Sequence, residues 1–308
     1  MSRLAHMATG PYAPPAPARE LTAVSADGAR LHVEVHGPDG APAVVLAHGW
    51  TCSTAFWAAQ LRDLATDHRV IAYDQRGHGR SPAHPACSTE ALADDLEAVL
   101  AATLAPGEQA VIAGHSMGGM TVLAVATRPA FREHAAAVLL CSTGSSRLVA
   151  ESLVVPMRAG RLRTWLTKRV LGSRAPLGPV TPLALRILKY GTMGPGSAPH
   201  MVEACARIVH ACPRRVRHAW SQVLDLLDLD HHVRELRAPT AVLVGAADRM
   251  TPPVHARALA AALPDCLGVT ELPGLGHMTP VEAPELVTGK IRELVTTYVP
   301  VRHAKEDA

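Results

Sequence analysis

A chain of 308 residues with 48% hydrophobic and 19% charged residues has enough apolar content to bury a full core, and at this length one α/β domain carrying an insertion is the default organisation. Phe, Trp and Tyr together make up only 3%, so the interior must be built from Leu, Val and Ala. The formal net charge of +3, with no run of five or more Lys and Arg, speaks against nucleic acid as a partner.

Residues 1–20, with Pro11, Pro14, Pro15 and Pro17, lack the apolar run of a secretory signal and read as a disordered lead-in. Two extended stretches follow, 21–25 and 31–36, joined by the turn signal Ala26-Asp27-Gly28-Ala29, which predicts a hairpin. Next come an apolar run at 43–47, a helical segment near 54–66, a second run at 70–73 and a helix over 89–104. Runs at 111–113 and 136–141 continue the series, with a helix starting at Ser116 between them. This alternation predicts a mostly parallel sheet with helices on both faces.

From 142 to 235 the alternation stops, and helices broken at Pro156, Pro176, Pro179, Pro182, Pro195, Pro199 and Pro213 replace it. This stretch reads as an inserted helical subdomain between two halves of one core, 21–141 and 236–301. It holds 14 Lys and Arg against 6 Asp and Glu, a net of +8, which leaves −5 for the rest of the chain. The strand and helix rhythm resumes at 241–244, near 253–263, at 269–272 and over 283–299, and residues 302–308 read as a solvated tail.

Six cysteines (Cys52, Cys87, Cys141, Cys205, Cys212, Cys266) form no CxxC pair and sit mostly in apolar stretches, which predicts reduced, packed thiols. No stretch supplies the ~20 apolar residues of a transmembrane helix. The expectation is a cytoplasmic protein without membrane insertion, its oligomeric state left open.

The strongest local signal is the apolar strand Val111-Ile112-Ala113 running into Gly114-His115-Ser116-Met117-Gly118-Gly119 and then a helical pattern. A serine nucleophile needs a sharp strand-to-helix turn, with small residues two before and two after it, and Gly114 and Gly118 meet that need. The helix N-terminus sets the amide of Met117 beside a developing oxyanion. A Gly-rich turn capped by Ser is the plain structural alternative.

With these residues in view, the chain resembles the α/β-hydrolase family, in its serine esterase and lipase-like branch, over about residues 21–299. Leu46-Ala47-His48-Gly49-Trp50, Tyr73-Asp74-Gln75-Arg76-Gly77-His78-Gly79-Arg80-Ser81 and Gly274-Leu275-Gly276-His277 look like further landmarks of that family. The resemblance implies a mostly parallel eight-stranded sheet with a helical lid inserted after the sixth strand. It also places the second oxyanion amide at Trp50. Chain order then requires an acid before the base: Asp248 follows the apolar strand 241–244, and His277 sits in a Gly-bounded loop after the last strand. Ser116, Asp248 and His277 are thus the expected catalytic residues, with Trp50 and Met117 as oxyanion donors and as part of an apolar acyl pocket.

Among seventeen histidines, His48, His78 and His115 look structural in the family, and Asp74, expected to form a salt bridge with Arg76 between the neighbouring glycines, reads as a structural turn. In the insert, Leu148, Val149, Leu153, Val154, Val155 and Met157, interleaved with Arg158, Arg161, Arg163 and Lys168, suit an acyl chain, an anionic headgroup or a membrane surface. A solvated basic face is the plainer reading.

The expected reaction is two-step hydrolysis of a small-molecule ester. It needs no metal or organic cofactor, and no HExxH, Walker or dinucleotide-binding pattern is present. Ser116 argues against the Asp-nucleophile branches, the epoxide hydrolases and haloalkane dehalogenases. Thr51-Cys52 replaces the Pro common after the oxyanion residue in haloperoxidases. Lactonases, thioesterases and carbon-carbon hydrolases stay open, as does a receptor-like member that keeps the triad and binds without turnover.

Overall fold

A computed structural model describes residues 12–300; the first eleven residues of the expected lead-in and the expected tail at 302–308 lie outside them. Eight strands form one sheet: β1 (Arg19–Val24), β2 (Arg30–His36), β3 (Ala43–Ala47), β4 (Arg69–Tyr73), β5 (Ala110–His115), β6 (Ala135–Cys141), β7 (Thr240–Gly245) and β8 (Cys266–Leu272). Their spatial order is β1-β2-β4-β3-β5-β6-β7-β8, with β2 antiparallel to both neighbours and the others parallel. The lead-in is shorter than expected, because Arg19↔Val35 and Glu20↔Glu34 already pair in the hairpin and Tyr12 stacks on His200.

The central strands are buried on both faces, which is why they read as unbroken apolar runs. Period-two alternation divides them between two cores. Val45, Ile71, Ile112 and Val138 face one layer, while Val44, Leu46, Val111 and Leu139 face the other.

The helices outside the insert are α1 (Ala58–Leu64), α2 (Thr89–Thr103), α3 (Met117–Val125) and α4 (Pro129–His134). Between β6 and β7 come α5 (Leu148–Glu151), α6 (Arg161–Leu171), α7 (Pro182–Thr192), α8 (Pro199–Ala211), α9 (Arg214–Asp225) and α10 (Asp230–Glu235). The chain finishes with α11 (Pro253–Ala262), α12 (Thr279–Glu282) and α13 (Pro284–Tyr298). On one face α2, α3 and α11 contribute Leu92, Leu96, Val122 and Leu259; on the other α1 and α13 contribute Leu61, Leu64, Val287 and Ile291.

The helix expected over 54–66 divides at Trp57 into a 3₁₀ turn, Thr54–Trp57, and α1. Inside the insert, Pro182 and Pro199 open α7 and α8, where a missing amide hydrogen costs nothing. By its packing, α10 belongs to the main core, since Leu229, Val233 and Leu236 are buried in the same cluster as the sheet. No helix among the described residues is long and apolar enough to cross a membrane.

The chain reverses its direction of growth across the sheet between β3 and β5, whose carboxyl ends are neighbours. In an open α/β sheet this switch point is where a ligand crevice forms.

Candidate active site

Ser116 links β5 to α3 with φ +53 and ψ −119, a left-handed conformation costly for a residue with a side chain. Thr51 after β3 and Ser142 after β6 are also left-handed, at φ +65 and +46, so strain gathers at the carboxyl ends of three neighbouring strands. The Ser116 turn is held by its amide donating to Cys141 O (2.9 Å) and by Thr143 Oγ1 donating to Ser116 O (2.8 Å). A Cβ at Gly118 would lie 2.0 Å from Ala47 O, and one at Gly114 2.5 Å from Gly118 O. Only glycine fits either place.

Asp248 ends the turn after β7 and is buried. Its Oδ2 accepts from His277 Nδ1 at 2.8 Å and from Thr251 Oγ1 at 3.0 Å, and its Oδ1 accepts from the amides of Met250 (2.8 Å) and Thr251 (2.9 Å). With Nδ1 donating, the neutral imidazole leaves Nε2 as its acceptor. His277 and Ser116 line one cavity, and among the described residues Ser116 Oγ has no hydrogen-bond partner.

The loop carrying His277 is anchored from three sides. His277 N donates to Thr192 O (2.8 Å), and His115 Nε2 donates to His277 O (2.8 Å). The Glu282 carboxylate accepts from the amides of Gly276, Met278 and Gly194 and from Ser197 Oγ. Neither Glu282 nor Thr251 was singled out by sequence. Thr251 was within reach of it, since Asp248-x-x-Thr251 is the spacing of a carboxylate closing its own turn.

The loop after β3 places Trp50. His48 Nε2 accepts from Gln75 N (3.0 Å), His78 Nε2 accepts from Thr51 N (3.2 Å), and Gln75 Nε2 donates to His48 O. Burial, with each other's proximity for His48, pushes His48 down to about 3 and His78 to about 4; burial and His277 take His115 well below its ordinary range. All three are neutral positioning groups. Asp74 accepts from Thr54 N (2.8 Å) and Arg80 N (2.7 Å), and burial lifts its carboxyl to about 6. Arg76 is not its partner: the guanidinium turns away to Asp95 (2.6 Å) and Asp27 (2.8 Å). The amides of Trp50 and Met117 donate to no other described group.

The cavity encloses about 720 Å³ and is walled mainly by apolar side chains, among them Trp50, Trp165, Leu166, Ile187 and Leu188. A second, smaller space of about 50 Å³, lined by Trp50, Met120, Leu148 and Leu224, also meets Ser116. Met117 lines neither. Its side chain is fully buried in the core beneath α3, so this residue offers the site its amide and no pocket wall.

Of the insert residues expected at the pocket, Val154 lines the larger space and Leu148 and Val149 the smaller, while Leu153 and Met157 face solvent. Arg158 and Arg161 are exposed, Lys168 pairs with Asp225 at 2.5 Å, and Arg163 is buried with Nη2 on Ala150 O. The arginines that do line the cavity are Arg169 and Arg217, which the sequence pattern did not distinguish from their neighbours.

All six cysteines are free thiols, and burial pushes Cys141 and Cys212 up to about 12. Glu20, His32 and Glu34 on β1 and β2 form the one group with metal-ligand spacing among the described residues. Arg80 already holds Glu20, and His32 and His36 hold Glu34.

A model described as the alpha/beta hydrolase family matches residues 44–289. The chain is 46% identical over 99 residues to RutD of Variovorax paradoxus (strain S110), assigned as a carbamate hydrolase, covering 31% of this chain and 36% of that protein. It is 35% identical over 96 residues to 3-oxoadipate enol-lactonase 1 of Acinetobacter baylyi, covering 31% and 35%. Each of these alignments takes in about a third of the relative's length. Among solved structures, a thermophilic esterase from Thermogutta terrifontis superposes with TM-score 0.73 at 26% identity, over 91% of this chain and 98% of that one.

Proposed function

The chain belongs to the alpha/beta hydrolase family, and from that premise we propose that it is a serine hydrolase cleaving carboxylic esters with small to medium apolar acyl groups. The observation that carries this reading is the buried Asp248–His277 hydrogen bond (2.8 Å), whose imidazole lines the same apolar cavity as the strained Ser116.

Ser116 Oγ attacks the ester carbonyl as His277 Nε2 takes its proton, and Asp248 stabilises the imidazolium that forms. The amides of Trp50 and Met117 receive the oxyanion. Collapse expels the alcohol, to which His277 returns the proton, leaving Ser116 acylated. Water attacks the acyl-enzyme through the same base and frees the acid.

Similarity to an enol-lactonase and to a carbamate hydrolase supports a second reading in which the scissile group is a lactone or carbamate. The steps are the same, and in a lactone the leaving oxygen stays tethered to the acyl group.

The test is fluorophosphonate labelling and turnover of p-nitrophenyl acetate, butyrate and octanoate by the wild type and by Ser116→Ala, followed by a lactone and carbamate panel. Labelling and turnover vanish together in the variant, with a loss of at least about 10⁴-fold. A wild type that neither labels nor turns over any of these substrates is a binding protein, and the reading fails.

A further inference from the structure

Arg217 sits in the first turn of α9 and is 6% exposed, yet among the described residues it pairs with no carboxylate. Only its Nη2 is engaged, with the carbonyls of Ser173 (3.4 Å) and Ala175, which leaves Nε and Nη1 without partners. Two other buried guanidinium groups are neutralised, Arg76 by Asp27 and Asp95 and Arg69 by Glu108. Arg163 also rests on a carbonyl alone, but it lines neither the catalytic cavity nor the outer pocket behind it. A buried cation lacking a counter-charge is costly, and a ligand anion would remove that cost.

Three observations place that anion in the catalytic cavity. Arg217 lines the cavity together with Ser116 and His277. Its Nη2 donates to the carbonyls of Ser173 and Ala175, which line the same cavity, and its own carbonyl accepts from Nε1 of Trp50 (3.1 Å), which flanks Ser116 in both spaces. Among the described residues no Asp or Glu lines this cavity or the outer pocket behind it, where His210, Arg214 and Arg215 join Arg217. The insert supplying these residues carries the +8, so its field draws anions inward.

We propose that the substrate carries, besides the scissile ester, a carboxylate a few methylenes away, which Arg217 receives; this rests on the serine hydrolase reading above and replaces its wholly apolar acyl group by one that ends in a carboxylate. A monoanion is favoured because the wall offers one buried guanidinium, its other arginine, Arg169, being exposed and stacked over Trp165. A dianionic phosphate would bring in a second charge that only the exposed Arg169 could meet. Arg217 is a specificity-determining residue and takes no part in bond making or breaking.

The experiment compares two p-nitrophenyl esters of equal chain length, the pentanoate and the hydrogen glutarate. In the wild type, kcat/KM for the glutarate exceeds that for the pentanoate by about tenfold or more, the discrimination given by one paired charge. In Arg217→Leu the ratio falls to one or below, chiefly through KM of the charged ester, and Arg217→Lys restores part of it. Because both esters are read on the same preparation, partial misfolding cancels from the ratio. A wild-type ratio of one or less, or a ratio unchanged in Arg217→Leu, overturns the proposal while leaving the hydrolase reading standing. If neither ester is turned over, fluorophosphonate labelling decides whether the hydrolase reading stands, and calorimetric titration with glutarate decides the carboxylate site: binding lost in Arg217→Leu upholds it, and no binding to the wild type overturns it.

Discussion

The carboxylate of Asp248 has every lone-pair direction occupied, by His277, by Thr251 Oγ1 and by two backbone amides. An Asn there cannot accept from His277 Nδ1 and satisfy the amides of Met250 and Thr251 without turning its NH₂ toward one of these donors. The imidazole is then driven to the other tautomer, with a proton on the nitrogen that must act as base. Asp248→Asn is therefore expected to fold and to lose about 10⁴-fold in kcat, measured on p-nitrophenyl butyrate, with KM little changed. A loss of less than about tenfold would mean that Asp248 serves only to close its turn. Met117 makes the complementary point about single residues. Its position after Ser116 makes its amide the proposed oxyanion donor, while its side chain is buried in the core.

At the scale of elements, the β5-to-α3 turn works because three backbones meet with no room for a Cβ. Gly118 lies against Ala47 O at the end of β3, and Gly119 lies against the Thr143 side chain after β6. Gly118→Ala would set a methyl 2.0 Å from a backbone oxygen, so β3 or α3 must shift. We expect this variant to lose about 1–3 kcal/mol in urea unfolding, the range of an overpacked core. The same shift moves the Trp50 loop relative to Ser116, so activity falls further than stability alone accounts for. If Gly118→Ala matches the wild type in both, the elbow is looser than its geometry indicates. The His277 loop is held differently, by one carboxylate, Glu282, that satisfies donors from two separate segments.

For the whole molecule, acid sensitivity sums over buried groups. His48, His78 and His115 stay neutral when folded but accept a proton near 6.5 when unfolded, so below that pH the unfolded chain binds more protons. Their stabilisation is complete above about 6.5 and is lost as pH falls toward 4 and 3, each contributing up to about 1.4 kcal/mol per pH unit. Asp74 acts in the opposite sense between its ordinary 3.8 and about 6, because the folded state holds its proton more tightly, and it offsets about one such increment. The unfolding free energy from urea titrations is thus expected to drop between pH 7 and pH 5, with a shallower slope in His78→Gln. Equal stability at both pH values would show these histidines to be charged in the folded protein.

Strand positions, the break in alternation that gives the run of helices between β6 and β7, and the glycine-flanked turn at Ser116 were legible in the chain because each is a local pattern: period two, a break in alternation, a spacing. The hydrogen bond between Asp248 and His277 joins residues that chain order alone had paired. The arginines of the insert had no such local mark. Arg158 and Arg161 point to solvent, Lys168 meets Asp225, and Arg217 is carried under the insert beside Trp50. Which of these charges faces water and which enters the cavity depends on how α6, α7 and α9 pack over the carboxyl ends of β3 and β5. That packing is set by contacts among residues far apart in the chain, and no spacing along it encodes them.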